Sequence, residues 1–171
     1  VDRHRILGSQ EHPNLLKILD PLPDEVYGDL YFELHEQKRE VYIVTHIDRR
    51  AWPDGVGAIR LGFSQEKRQQ FSSDESFLSA YRTAVQEYYA VRKEIDGQLD
   101  AQRVSEGIAL QAPLPAVKMQ ELLVGIPKDV AAREMFLRAA IEAFTAMKDL
   151  RVGDVLAVPL RTPHALQHGV R

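Results

Sequence analysis

The chain of 171 residues predicts a mainly β protein: an antiparallel β scaffold carrying an α-helical insertion over about residues 64–150. Three observations predict it. Leu30, Phe32 and Leu34 alternate with Tyr31, Glu33 and His35, and a β-branched apolar run follows from Val41 to Ile47; both are strand textures. In the middle of the chain Phe77, Tyr81, Val85, Tyr88, Val91 and Ile95 fall at helical spacing instead, placing one apolar stripe along a helix. Strand texture then returns at Val155 to Val158 and again near Ala165. Strands, two long helices and strands, in that order, make one domain with an insertion.

The elements follow in turn. The first dozen residues are irregular and close at His12-Pro13; Asn14 to Leu19 is a short apolar stretch stopped by the loop Asp20-Pro21-Leu22-Pro23. The first strand starts after Gly28, and the polar Glu36-Gln37-Lys38-Arg39 is short enough for a hairpin turn into the second. Trp52-Pro53-Asp54-Gly55 forms a loop before a third strand, Val56 to Phe63. Ser72-Ser73 offers a cap for a helix starting at Asp74. Gly107 to Pro115 reads as a loop or edge piece. Pro127 sits where a first-turn proline belongs, ahead of a helical face made of Val130, Leu137, Ile141, Phe144 and Met147.

Composition narrows the classes of function. Hydrophobic content of 44% and charged content of 27% are those of a soluble globular domain. A net charge of -3 argues against nucleic acid or an anionic membrane as partner. No apolar run approaches the roughly 18 residues of a membrane span, and no charged-then-apolar leader opens the chain. Cysteine is absent, so the expected compartment is a reducing cytoplasm and any metal must be held by His and carboxylate side chains. There is no phosphate-binding Gly-rich loop, P-loop or serine nucleophile elbow.

Glu33 and His35, two apart on a strand, project to one face about 7 Å apart at their Cα atoms. A tight turn is expected to bring Glu40 back beside them on the antiparallel partner. Two carboxylates and an imidazole suit Zn, Mn, Fe or Ni rather than a soft metal; the ordinary alternative, a solvated hairpin face, is an equal match for this triplet alone. Downstream, Gly153-Asp154-Val155-Leu156-Ala157-Val158-Pro159 reads as turn, strand and strand-ending proline, with His164 after a short loop. Taken alone that is a β-turn-β with a surface histidine; the two half-motifs in this order make the metal site the better account. Other candidates are weaker. His46 lies about 20 Å along the strand from Glu40 and is expected to be structural. His168 is four residues from His164, but Pro163 and Gly169 oppose a helix there, which leaves His168 at the rim. Lys38 can meet a ligand oxygen or phosphate, or lie in water as a turn lysine; Arg49, Arg50 and Arg161 are further candidate phosphate partners. The aromatics of Tyr81 to Tyr89 belong to the core stripe.

The two half-motifs resemble those of the cupins: a glycine, then His-x-His with a glutamate shortly after, then Gly-Asp-x-x-x-x-Pro with a histidine beyond. More narrowly the chain resembles the type I phosphomannose isomerases, metal-dependent cupins that interconvert mannose 6-phosphate and fructose 6-phosphate. Glu33-Leu34-His35 stands in the place of that family's Gln-x-His, and Lys38-Arg39-Glu40-Val41-Tyr42-Ile43-Val44 is similar to its Lys-x-Glu segment and the strand after it. Ile59-Arg60-Leu61-Gly62-Phe63 is similar to the run before its helices; Arg151 to Pro159 and Thr162-Pro163-His164-Ala165 are similar to its second motif. The resemblance covers residues 28–70 and 145–169. It departs in the glutamate at the first ligand, in the short spacing from His35 to Glu40 and in the missing proline-glycine turn. It implies a cupin-like antiparallel β-barrel (double-stranded β-helix), a divalent metal held by Glu33, His35, Glu40 and His164 with zinc foremost, and aldose–ketose isomerisation of a sugar phosphate with Lys38 in the catalytic site. A non-catalytic sugar- or metabolite-binding cupin is the second expectation, and a metal-dependent oxygenase the third. The sequence stops at Arg171, where such a barrel needs further strands; closure is expected from more chain, from the N-terminal segment or from a partner subunit in a homo-oligomer.

Overall fold

The computed structural model describes residues 32–171. Its elements are β1 (Glu40–Ile43), β2 (Gly57–Phe63), α1 (Gln65–Arg68), α2 (Asp74–Ser105), α3 (Ala116–Val124), α4 (Lys128–Glu142), β3 (Thr145–Leu150), β4 (Val155–Val158) and β5 (His164–Leu166). The expected strand at Leu30 falls partly outside the described residues, as do Gly28 and the apolar stretch Asn14 to Leu19.

The mainly β, cupin-like barrel is not what the chain forms. Among the described residues 42% are helical and 19% are in strands. The strands make two open antiparallel sheets, one of order β1-β4 and one of order β3-β2-β5, and no closed barrel. Closing a barrel requires every strand to find a neighbour on both sides. Among the described residues β1 pairs only with β4, and β3 only with β2. The strands are three to seven residues long, whereas α2 alone spans 32 residues.

Helix α2 starts where the sequence says it should. Ser73 accepts from the Ser76 backbone N–H and Ser76 returns a bond to the Ser73 N–H, a reciprocal cap that satisfies two orphan donors. Of the expected stripe, Phe77, Tyr88, Val91 and Ile95 are buried and Tyr81 is partly so, whereas Val85 is 38% exposed. Tyr88, Val91 and Ile95 pack with Ile126, Val130 and Ile141 from the α3–α4 region into one core, against which Phe32 also rests. The expected second long helix ends at Glu142 rather than running through Met147: Phe144 lies at the junction, and Met147 is on β3.

A second core gathers Val44, Ile47, Ile59, Leu150, Leu156 and Val170 between the strands. Phe63, Phe71, Phe77, Tyr81 and Phe144, with ring centroids 5.2–6.1 Å apart, join the sheet to the helices in edge-to-face and tilted contacts. No helix among the described residues is long and apolar enough to cross a membrane.

Candidate metal centre

Three pieces of backbone bring the four expected ligands together. The first piece is the extended segment 32–35, which the sheet captures through Glu33 and His164. The Glu33 N–H donates to the His164 carbonyl at 2.9 Å, and the His164 N–H donates to the Glu33 carbonyl at 3.1 Å. The Arg161 N–H adds a bond to the His35 carbonyl at 2.8 Å. The second piece is β1, whose Glu40 lies opposite Val158 of β4. The third is β5, whose His164 lies opposite Leu61 of β2. The expected hairpin joining Glu33 and His35 to Glu40 is therefore not the device that assembles the site. The C-terminal strands hold both segments separately, one through β4 and one through His164.

Gly153-Asp154 has the turn role its sequence indicates. Gly153 adopts φ 93°, a region open to glycine. The Asp154 carboxylate accepts from the Arg151 N–H at 2.7 Å, and the turn docks on Val44 through bonds of 2.8 and 2.9 Å. It reverses the chain from β3 into β4 and so sets the strand that positions Glu40.

Glu33, His35, Glu40 and His164 each offer one ligand atom, and these atoms all lie within 4.8 Å of one another; the group could hold a metal ion. His35 Nε2 is 3.1 Å from Glu33 Oε2 and 2.9 Å from Glu40 Oε2, and His164 Nε2 is 3.3 Å from the same Glu40 oxygen. Ligand atoms set tetrahedrally at about 2.1 Å from zinc stand about 3.4 Å from one another. The three contacts of 2.9–3.3 Å need a small expansion to reach that, and any pair near the 4.8 Å limit would have to draw in. Exposure grades across the site: the His164 side chain is 1% exposed, Glu40 12%, His35 22% and Glu33 29%. One wall is thus embedded, and the opposite side meets solvent.

The embedded histidine supplies a physical test of fit. His164 Nδ1 lies 2.9 Å from the Thr162 carbonyl oxygen, which can only accept, so Nδ1 carries a proton. Its Nε2 then faces the Glu40 carboxylate. Two lone pairs at 3.3 Å repel, so a proton or a metal ion must stand between them. A backbone carbonyl that fixes one ring nitrogen and aims the other is the usual second partner of a metal-bound imidazole. The residues fit a divalent cation.

Two participants escaped the sequence. Tyr42 shares the inward face of β1 with Glu40 and sets its ring edgewise to His164 at 6.1 Å. Burial, then the Glu40 and Glu33 charges, push its phenol well above the ordinary range, so it stays protonated. Spacing two along a strand from Glu40 was the available signal. The Thr162 carbonyl is backbone and left no signal in residue type.

The remaining candidates lie as follows. Lys38 is in the cluster, its Nζ donating to Glu40 Oε1 at 3.2 Å. Arg50 is taken by Asp48 at 2.9 Å. The His46 backbone pairs with Arg171, and the His168 carbonyl accepts from the Trp52 indole at 2.7 Å; both are parts of the strand core's edge rather than of the ligand set. Arg161 has the positive φ of 56°, unusual for a residue with a side chain, at the turn between β4 and β5. No family model, curated protein or solved structure matches this chain.

Proposed function

We propose that the protein is a divalent-metal protein, zinc foremost, that isomerises a phosphorylated aldose and ketose. The observation that carries the metal reading is the convergence of two carboxylates and two imidazoles from three separate segments within 4.8 Å, with the buried His164 oriented by the Thr162 carbonyl. The sugar-phosphate chemistry rests on the resemblance of the two ligand-bearing motifs to the type I phosphomannose isomerases. A bound divalent ion supplies Lewis-acid polarisation of the substrate's carbonyl and hydroxyl oxygens. Glu33 and His35 line the more exposed side of the group, from which those oxygens would approach. Lys38, half-exposed at the same edge, is placed to meet a substrate oxygen or phosphate.

A second reading has one observation in its favour. Four protein ligands would complete a tetrahedral zinc, as structural sites do, whereas catalytic zinc keeps a position open. On that reading the protein binds a metabolite, or nothing, and turns nothing over.

Metal content of the purified protein, followed by a coupled assay with mannose 6-phosphate, separates these. The expected result is one divalent ion per chain, a melting temperature that falls on chelation, and turnover that returns with metal. Metal without turnover in the full-length protein leaves the structural reading. No metal, and stability indifferent to chelator, removes the site altogether.

A further inference from the structure

Building on the metal reading above, we propose that Lys38 is an internal competitor for the metal position: its ammonium stands in for the divalent ion and is expelled when the ion enters. The cluster sets two carboxylates within 4.8 Å of each other, and like charges that close favour a neighbouring cation. Lys38 supplies one. Its Nζ donates to Glu40 Oε1 at 3.2 Å and lies 3.4 Å from His35 Nε2. Those are two of the side chains the metal must bind.

The exclusion is at His35, since Glu40 offers Lys38 its Oε1 and turns its Oε2 to the two imidazoles. A ring nitrogen committed to a metal has no lone pair left for an ammonium. The Glu40 carboxylate, drawn onto a dication, loses most of its attraction for a monovalent partner, and the two positive charges repel at this range. One of the five side chains must give way, and burial decides which. His164 is 1% exposed and Glu40 12%, both fixed by strand pairing, whereas Lys38 is 50% exposed on the bend before β1. Its four-carbon stem can swing the ammonium into water with little lost packing.

Lys38 is therefore a specificity-determining residue. It raises the affinity an ion needs before it can load, favouring ions that bind imidazole strongly over weakly held hard cations. Because the competing pair is partly exposed, salt screens it. The competition should fade as ionic strength rises.

Zinc titration calorimetry on the full chain and on Lys38→Met and Lys38→Arg, at low and high salt, tests this. Lys38→Met keeps the stem without the charge and is expected to bind zinc about three- to fivefold tighter, the range of a partly exposed ion pair. That gap should narrow at high salt, and Lys38→Arg should stay near the parent. Parental or weaker zinc affinity in Lys38→Met overturns the competition while leaving the metal site intact. Absence of zinc binding from the parent chain overturns both.

Discussion

Glu40 and His164 are 124 positions apart in sequence, yet Glu40 Oε2 lies 3.3 Å from His164 Nε2, with the other ring nitrogen held by a main-chain carbonyl. Neither side chain reaches the other through a local turn. Their meeting depends on β1 pairing with β4 and on β5 lying beside β2. This contact is the embedded half of the candidate metal centre, so its loss should be felt most. His164→Ala and Glu40→Ala are each expected to weaken zinc binding by more than about 100-fold, beyond the 10- to 100-fold cost of removing only a supporting partner. Glu33→Ala, at the solvent side, should cost less. Competition titration against a chromophoric chelator measures all three; equal losses at Glu33 and His164 would deny the graded site.

The grouping of the four candidate ligands was legible because metal chemistry restricts residue type: with no cysteine in the chain, Glu33, His35, Glu40 and His164 were the His and carboxylate set in two ordered motifs. Their route to one another was not. Glu36 to Arg39 suited a hairpin, but the partner of β1 is more than a hundred residues away, and pairing across that distance has no local signature. Helix α2 was legible from Phe77 to Ile95 because its stripe is apolar. Its last ten residues, from Asp96 to Ser105, are mostly polar and gave no period to follow. At Phe144 and Met147 a helical spacing fitted residues that the structure places past the end of α4 and on β3. Short apolar runs satisfy both periods, and pairing with β2 decides. The barrel was inferred from motif likeness, which speaks for a site more than for an architecture.

Arg161 bears a strain that can be removed. Its φ of 56° places a residue with a Cβ in the left-handed region, at a cost of about 1 kcal/mol that glycine avoids. Glycine gives part of this back through a freer unfolded chain. Arg161→Gly is therefore expected to stabilise the fold by up to about 1 kcal/mol, read by denaturant unfolding. Zinc affinity should be unchanged, since the backbone N–H that binds the His35 carbonyl remains. A destabilised variant would show that the side chain makes contacts worth more than the strain.

Asp48 offers a pH readout away from the metal. The Arg50 side chain, and then the Arg50 backbone N–H, hydrogen-bond its carboxylate and lower its pKa from 3.8 to about 2. A folded-state value below the unfolded one means a contribution fully present above the unfolded value and lost as pH falls through about 2. Carboxyl carbon shifts followed by NMR should show Asp48 titrating at about 2, below its ordinary 3.8. In Asp48→Asn the acid limb of the stability profile between pH 4 and 2 should flatten, which a set of melts across that window would check.

In the helical core, Tyr88 of α2 donates to Glu134 Oε1 at 2.9 Å, and Arg138 donates to the same oxygen from Nε at 3.0 Å and from a terminal nitrogen at 2.6 Å. Glu134 is 2% exposed and Arg138 7%, so this ion pair is buried between α2 and α4. Charges taken out of water repay their desolvation only while paired. Glu134→Ala takes the carboxylate from a buried guanidinium and is expected to cost about 3 kcal/mol or more. Tyr88→Phe removes one hydrogen bond and should cost about 1 kcal/mol. The informative variant removes everything polar at once: Tyr88→Phe, Glu134→Leu and Arg138→Met together. If burial of charge is the governing cost, the triple variant should unfold at a higher denaturant concentration than Glu134→Ala alone, a non-additivity expected of groups sharing one network. If the triple variant is the least stable, the pair within α4 contributes attraction beyond its desolvation, and the Tyr88 hydrogen bond to its carboxylate joins α2 to α4 beside their apolar stripe.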